Sequence, residues 1–218
     1  MHKQYPVNRV HVTQSSEHTK ALGPGGTPST VPGYIRVKCL GLFALRNPYE
    51  PAPIPEGMQC KRGYLCSGAL PLRPHPRPET RGIAPHRQVT QRADQDMFIA
   101  LSEAIEDFGR KGGDHLTVGT SCFEKHGTGL FSTAPSKKTC RGEICHVHSS
   151  DGSLHLTLHP LDAREVLESG WGERHPISRG GIFERFVPKG FTMVYAPQND
   201  SEVAVVLEIV KAATWIIR

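Results

Sequence analysis

The 218 residues are enough for one well-buried core with an irregular arm, and a second domain is not required. A formal charge of +5 is mildly basic, but Lys and Arg alternate with Asp and Glu instead of forming one run, so nucleic acid is not a required partner. No stretch reaches the roughly eighteen apolar residues of a spanning helix, and MHKQYPVNRVHVTQSSEHTK lacks the apolar centre of a signal peptide, so the chain reads as cytoplasmic.

Cys39, Cys60, Cys66, Cys122, Cys140 and Cys145 form no C-x-x-C pair and lack the density of a secreted scaffold, which predicts free thiols. The twelve His are a heavier loading than a chain of this length usually carries.

Residues 1–33 are polar and end in GPGGTPSTVPG, a composition that predicts a disordered or extended arm. GYIRVKCLGLFAL follows, short and apolar with Arg36, Lys38 and Arg46 on or near it. It fits a strand, a docking helix or an interfacial segment, and residues 34–46 are the candidate for a peripheral membrane contact. Residues 34–85 as a whole form a Pro-rich wrapping segment, because Pro recurs too often from Asn47 to Pro85 for a helix interior or a central strand.

The remaining residues, 86–218, form the folded domain. Asp94 or Asp96 caps a helix whose Met97, Leu101, Ala104, Ile105 and Phe108 share a face. HLTVGTSCFEKHGTGLFST reads as two or three short strands, with Glu124 and His126 two apart on one of them. EICHVHSSDGSLHLTLH reads as a β-hairpin turning at Asp151-Gly152, PLDAREVLESG as a short helix and FTMVYAP as a strand. A closing helix starts at the Asn199 and Glu202 pair and carries Val203, Val206, Leu207, Val210, Thr214 and Ile217 at helical spacing. The fold class is α+β: a mainly antiparallel sheet with helices packed on one face, preceded by the Pro-rich arm.

With Asp151 and Gly152 as the two turn residues, His148 stands opposite His155 and His146 opposite Thr157. Three imidazoles then share one face, while Cys145, Val147, Leu154, Leu156 and Leu158 take the other. Such imidazoles serve as proton-transfer groups or as metal ligands, against the plainer reading of a solvated polar face. No carboxylate follows the H-x-H step at the usual short interval, so no metal is expected. Glu124 and His126 join the site if their strand neighbours the hairpin, and are otherwise an ordinary polar face. In WGERHP, Trp171 could stack on a flat ligand and Arg174 hold an anionic oxygen, with Glu173 and His175 beside them; the bland alternative is a Trp anchor with exposed charges. No nucleophile elbow, P-loop or dinucleotide fingerprint is present.

From Glu143 to about Ala213 the chain resembles the fungal luciferase family through EICHVH, SLHLTL, DAREVLESGWGERHP, VYAPQNDSE and VVLEIVKAA. Weaker likeness runs through GYIRV, TRGIAPHRQVTQR and CFEKH. The resemblance implies an oxygenase that adds molecular oxygen to an enolised pyrone of the hydroxyhispidin type. A cyclic peroxide then loses carbon dioxide and leaves an excited product, with no organic cofactor. The candidate catalytic residues are His148 or His155 as base, with His146, His175, Arg174 and Glu173. Trp171, Tyr195, Glu124 and His126 are the candidate substrate-binding residues. A non-catalytic module for an aromatic ligand and a metal-dependent enzyme built on the His cluster are the competing readings.

Overall fold

The computed structural model describes residue 27 and residues 30–54, 62–65, 67–133 and 139–215. Expectations on residues 1–26, on Cys60 and Cys66 and on Ile217 lie outside them. The sheet has six strands in the order β3-β4-β5-β6-β8-β7, every neighbouring pair antiparallel. They are β3 (Leu116–Thr120), β4 (Thr128–Ser132), β5 (Glu143–Val147), β6 (Leu154–Thr157), β7 (Gly172–Arg174) and β8 (Phe191–Val194). A separate hairpin pairs β1 (Thr80–Gly82) with β2 (His86–Gln88).

One face of the sheet carries the main core. Cys145, Leu154, Leu156 and Leu158 point there, as the alternation predicts, and meet helices α2 (Gln95–Lys111), α3 (Pro160–Glu168) and α4 (Asp200–Trp215). Leu101 and Ile105 anchor α2, and Val206, Ile209 and Val210 anchor α4. Each helix begins where a side chain can satisfy free backbone N–H groups: Asp94 accepts from Met97 N at 2.9 Å, and Asn199 from Glu202 N at 3.1 Å.

The Pro-rich segment packs on the domain through buried carboxylates. Asp162 accepts from the amides of Tyr64 and Leu65, Glu165 from those of Gly68 and Leu70, and Trp171 Nε1 donates to Pro71 O at 2.7 Å. The 34–46 stretch, left open by its sequence, forms helix α1 (Val31–Gly41), capped by Thr30 and docked through Val37 against Ile83, Ile177, Val187 and Phe191. Among the described residues no helix is long and apolar enough to cross a membrane.

Two local expectations are corrected. Cys122 and Cys140 form a disulfide rather than staying free, because the turn after β3 and a left-handed turn at Cys140 and Arg141 bring their Cα atoms to 5.5 Å. Cys39 and Cys145 are free thiols. The hairpin between β5 and β6 closes with a longer loop than the two-residue turn predicted. His148 N donates to Ser153 O, Gly152 N turns back to His148 O, and His146 pairs with His155. The reason lies in Asp151, which is buried and accepts from Ser153 N at 2.8 Å instead of sitting at a solvated turn corner. Gly152 has a φ of 74°, and a Cβ there would collide with Ala93, so both backbone and packing call for glycine.

Candidate active site

The second face of the sheet is polar, yet sealed. His146, His148 and His155 project from β5 and β6 onto it, and the β1-β2 hairpin lies over them with His86 and Arg87 turned inward. His148 is 1% exposed and His155 3%, which rules out a solvated polar face. The changed register leaves the three imidazoles together, since a shift of two residues preserves which face a side chain takes. Phe191 stacks on His155 with centroids 4.9 Å apart, and Phe123 lies against both Phe191 and His146.

Each imidazole is tied outward to a carboxylate. His146 Nδ1 lies 2.7 Å from Glu143 Oε1, whose carboxylate also accepts from Ser121 Oγ, Cys122 N and Phe123 N. His148 Nδ1 lies 2.9 Å from Ser153 Oγ, and that hydroxyl is bonded to Asp151 Oδ1. His155 Nε2 lies 3.2 Å from His86 Nδ1, whose Nε2 is 3.1 Å from Glu173 Oε1. Glu173 accepts further from Thr80 Oγ1 and Tyr195 Oη.

Toward the middle, His148 Nε2 and His155 Nδ1 approach to 2.8 Å. Glu124 Oε1 stands 3.8 Å from His146 Nε2 and 3.9 Å from His148 Nε2. Arg87 Nη2 holds the other oxygen of Glu124 at 2.5 Å, and Arg87 Nε lies 3.9 Å from Asp151 Oδ2. Burial pulls the His148 imidazole down to about 4, against the upward pull of the nearby Asp151 carboxylate. His155 is lowered well below its usual range by burial and then by the neighbouring imidazoles. Both are neutral at pH 7 and present a lone pair.

The predicted site residues divide. His146, His148, His155 and Glu124 meet at one point, although Glu124 and His126 lie in the turn after β3 and not on a strand. His126 is at the rim, 3.8 Å from Glu124 and partly exposed. Glu173 and Tyr195 belong to the outer network and not to the meeting point; burial and the Glu173 charge keep the Tyr195 phenol protonated, well above its usual range. His175 spends both nitrogens on backbone, with Ile83 O at 3.0 Å and Ile177 N at 3.3 Å.

Trp171 is a core residue 1% exposed, so it does not offer a stacking face. WGERHP is an edge strand and not a loop, because Gly172, Glu173 and Arg174 pair with β8. In that pairing Glu173 shares Met193, and hence the face, with His155, which puts Arg174 on the opposite face. Its guanidinium donates to Glu50 O at 3.3 Å and Ser178 O at 2.7 Å. Arg174→Ala is therefore expected to cost about 1–3 kcal/mol of stability by leaving the buried Ser178 carbonyl unpaired. Substrate KM of the folded variant should stay within about twofold. Urea unfolding with steady-state kinetics checks this, and a raised KM at unchanged stability would return Arg174 to the site.

His86, Glu143, Asp151, Ser153, Arg87 and Phe191 were missed. Glu143 is legible in the sequence, since it lies three residues before His146 rather than after the H-x-H step. His86 reaches the site only because the β1-β2 hairpin folds across the sheet.

On the same face, at the β3-β4 end, a cleft of about 440 Å³ is lined by residues including Ser121, Cys122, Lys125, Phe131 and Arg141. Ser121 and Cys122 also bond to Glu143, so the wall of the cleft is continuous with the imidazole cluster.

An antiparallel α+β domain that seals converging imidazoles against aromatic rings is the architecture of a buried reaction or binding site rather than of a surface-recognition module. Residues 141–213 match the Luciferase domain family. The chain is 34% identical to the luciferase of Neonothopanus nambi over 208 residues, 88% of this chain and 76% of that one. It is 34% identical to the luciferase of Armillaria mellea over 209 residues and 33% to that of Armillaria ostoyae over 207, with the same coverages. The chain belongs to the fungal luciferase family. No solved structure matches it.

Proposed function

We propose that this protein is a luciferase-like oxygenase that adds molecular oxygen to an enolised pyrone or related polyketide enol of the hydroxyhispidin type. Carbon dioxide is lost from the resulting cyclic peroxide, and light is one outcome of that collapse. The observation that carries this reading is the convergence of neutral, buried imidazole lone pairs beside an aromatic wall, in the segment matched to the family. An enol must give its proton to a base before its electron-rich carbon can meet oxygen, and the peroxide product must be kept from water. The sealed His146, His148 and His155 cluster offers both conditions.

The cleft beside Glu143 is the entry for such a substrate, with Phe131 for its flat ring and Lys125 and Arg141 for its negative charge. No organic cofactor is part of this reading. We extend the proposal to a peripheral membrane contact through residues 34–46, which the exposure of Ile35, Leu42 and Phe43 among Arg36, Lys38 and Arg46 supports.

The test mixes purified protein with hydroxylated hispidin in air and records oxygen uptake, carbon dioxide release and photons together. Oxygen consumed in proportion to substrate is the expected result, and uptake without light defines a dark oxygenase of the same class. Ligand binding with no uptake on any pyrone would leave a binding module and overturn the proposal.

A further inference from the structure

The hydrogen-bond network assigns a proton to one nitrogen of each central imidazole. Glu143 is saturated as an acceptor, so His146 carries its proton on Nδ1 and presents a lone pair at Nε2. Asp151 takes the hydroxyl proton of Ser153, whose oxygen must then accept from His148 Nδ1, leaving Nε2 of His148 bare. Glu173 already receives Thr80 and Tyr195 and takes the Nε2 proton of His86. His86 Nδ1 then accepts from His155 Nε2, leaving Nδ1 of His155 bare.

Three independent chains, each ending in a carboxylate, thus leave three lone pairs directed at one place. Two of them face each other at 2.8 Å, a contact that either one shared proton or a metal cation between them satisfies. The fourth group at that place is a carboxylate oxygen, Glu124 Oε1.

We propose that His146 Nε2, His148 Nε2, His155 Nδ1 and Glu124 Oε1 form a centre for a divalent first-row transition metal. One nitrogen of each imidazole lies within 4.8 Å of the others, and Glu124 Oε1 is 3.8 and 3.9 Å from two of them. Bonds of about 2.0–2.2 Å from one ion hold donors at separations up to about 4.4 Å, so small side-chain shifts suffice. Imidazole with carboxylate is a donor set for Fe, Mn, Ni, Cu or Zn and a poor one for Ca or Mg. Glu143, the Ser153-Asp151 pair and the His86-Glu173 pair are the outer carboxylate partners that fix the ring tautomer of a metal-bound His. An ion here would lower the pKa of a coordinated enol and so ease its loss of a proton to a nearby base. The inference rests on the geometry of the site and not on the substrate proposed above.

The test is metal analysis of the untagged full chain, stripped with a chelator and then titrated with Co(II), Zn(II) and Fe(II) while bound metal and unfolding temperature are followed. Expected are about one ion per chain, a raised unfolding temperature and a visible Co(II) spectrum of nitrogen and oxygen donors. His148→Ala should lose the ion. Glu143→Gln, which keeps every proposed ligand, should bind about 10–100-fold more weakly. His126→Ala, outside the ligand set, should bind as the parent does. No ion retained, or one retained equally by His148→Ala and Glu143→Gln, overturns the centre. Full oxygen uptake by the chelator-stripped protein removes the ion from the reaction while leaving the oxygenase, whereas a bound ion with no uptake on any pyrone leaves the centre and removes the oxygenase.

Discussion

Replacing Arg87 with Met is expected to destabilise the protein by about 3–5 kcal/mol, the usual consequence of removing one partner from a buried ion pair. Arg87 is 3% exposed, and its guanidinium reaches two carboxylates on different elements, Glu124 in the turn after β3 and Asp151 in the β5-β6 loop. Methionine fills most of the volume but leaves both carboxylates in a site that water does not reach. Arg87→Lys keeps the charge on a compact ammonium that lacks the forked geometry, so its loss should be the smaller of the two. Urea unfolding of metal-stripped samples measures the difference. A loss below about 1 kcal/mol for Arg87→Met would show that the carboxylates are compensated from elsewhere.

Much of the fold was legible because it rests on alternation. The core side of β5 and β6 was readable from Cys145, Leu154, Leu156 and Leu158, and α2 and α4 from their apolar faces and capping residues. The same alternation placed His146, His148 and His155 on one face, and it survived a mistaken turn because the register moved by an even number of residues. What stayed illegible depends on long-range packing. The β1-β2 hairpin hides in a Pro-rich stretch, yet it delivers His86 and Arg87 to the site from sixty or so residues upstream of β5. Trp171 and Arg174 sit in the segment matched to the family and serve the scaffold, since residue type alone does not say toward which face of a strand a side chain points. The Cys122-Cys140 bridge likewise depends on two turns meeting in space.

The second large effect concerns the centre of the site. His148 Nε2 and His155 Nδ1 lie 2.8 Å apart, and each ring is held by an outer partner that remains in place when the ring is removed. His148→Ala or His155→Ala deletes a lone pair at the meeting point, whether that lone pair takes the enol proton itself or holds an ion that acidifies the enol. Either loss should lower turnover by about a hundredfold or more. Affinity for a flat aromatic ligand should change little, because the aromatic wall and the cleft are untouched.

Oxygen-electrode turnover of these two variants, each first shown to fold by its cooperative unfolding transition, tests most directly whether the sealed imidazole cluster is the working site. Turnover at or below about one hundredth of the parent is expected for both, with ligand affinity retained. Full turnover in both folded variants would show that the cluster is scaffold and that the reaction takes place elsewhere.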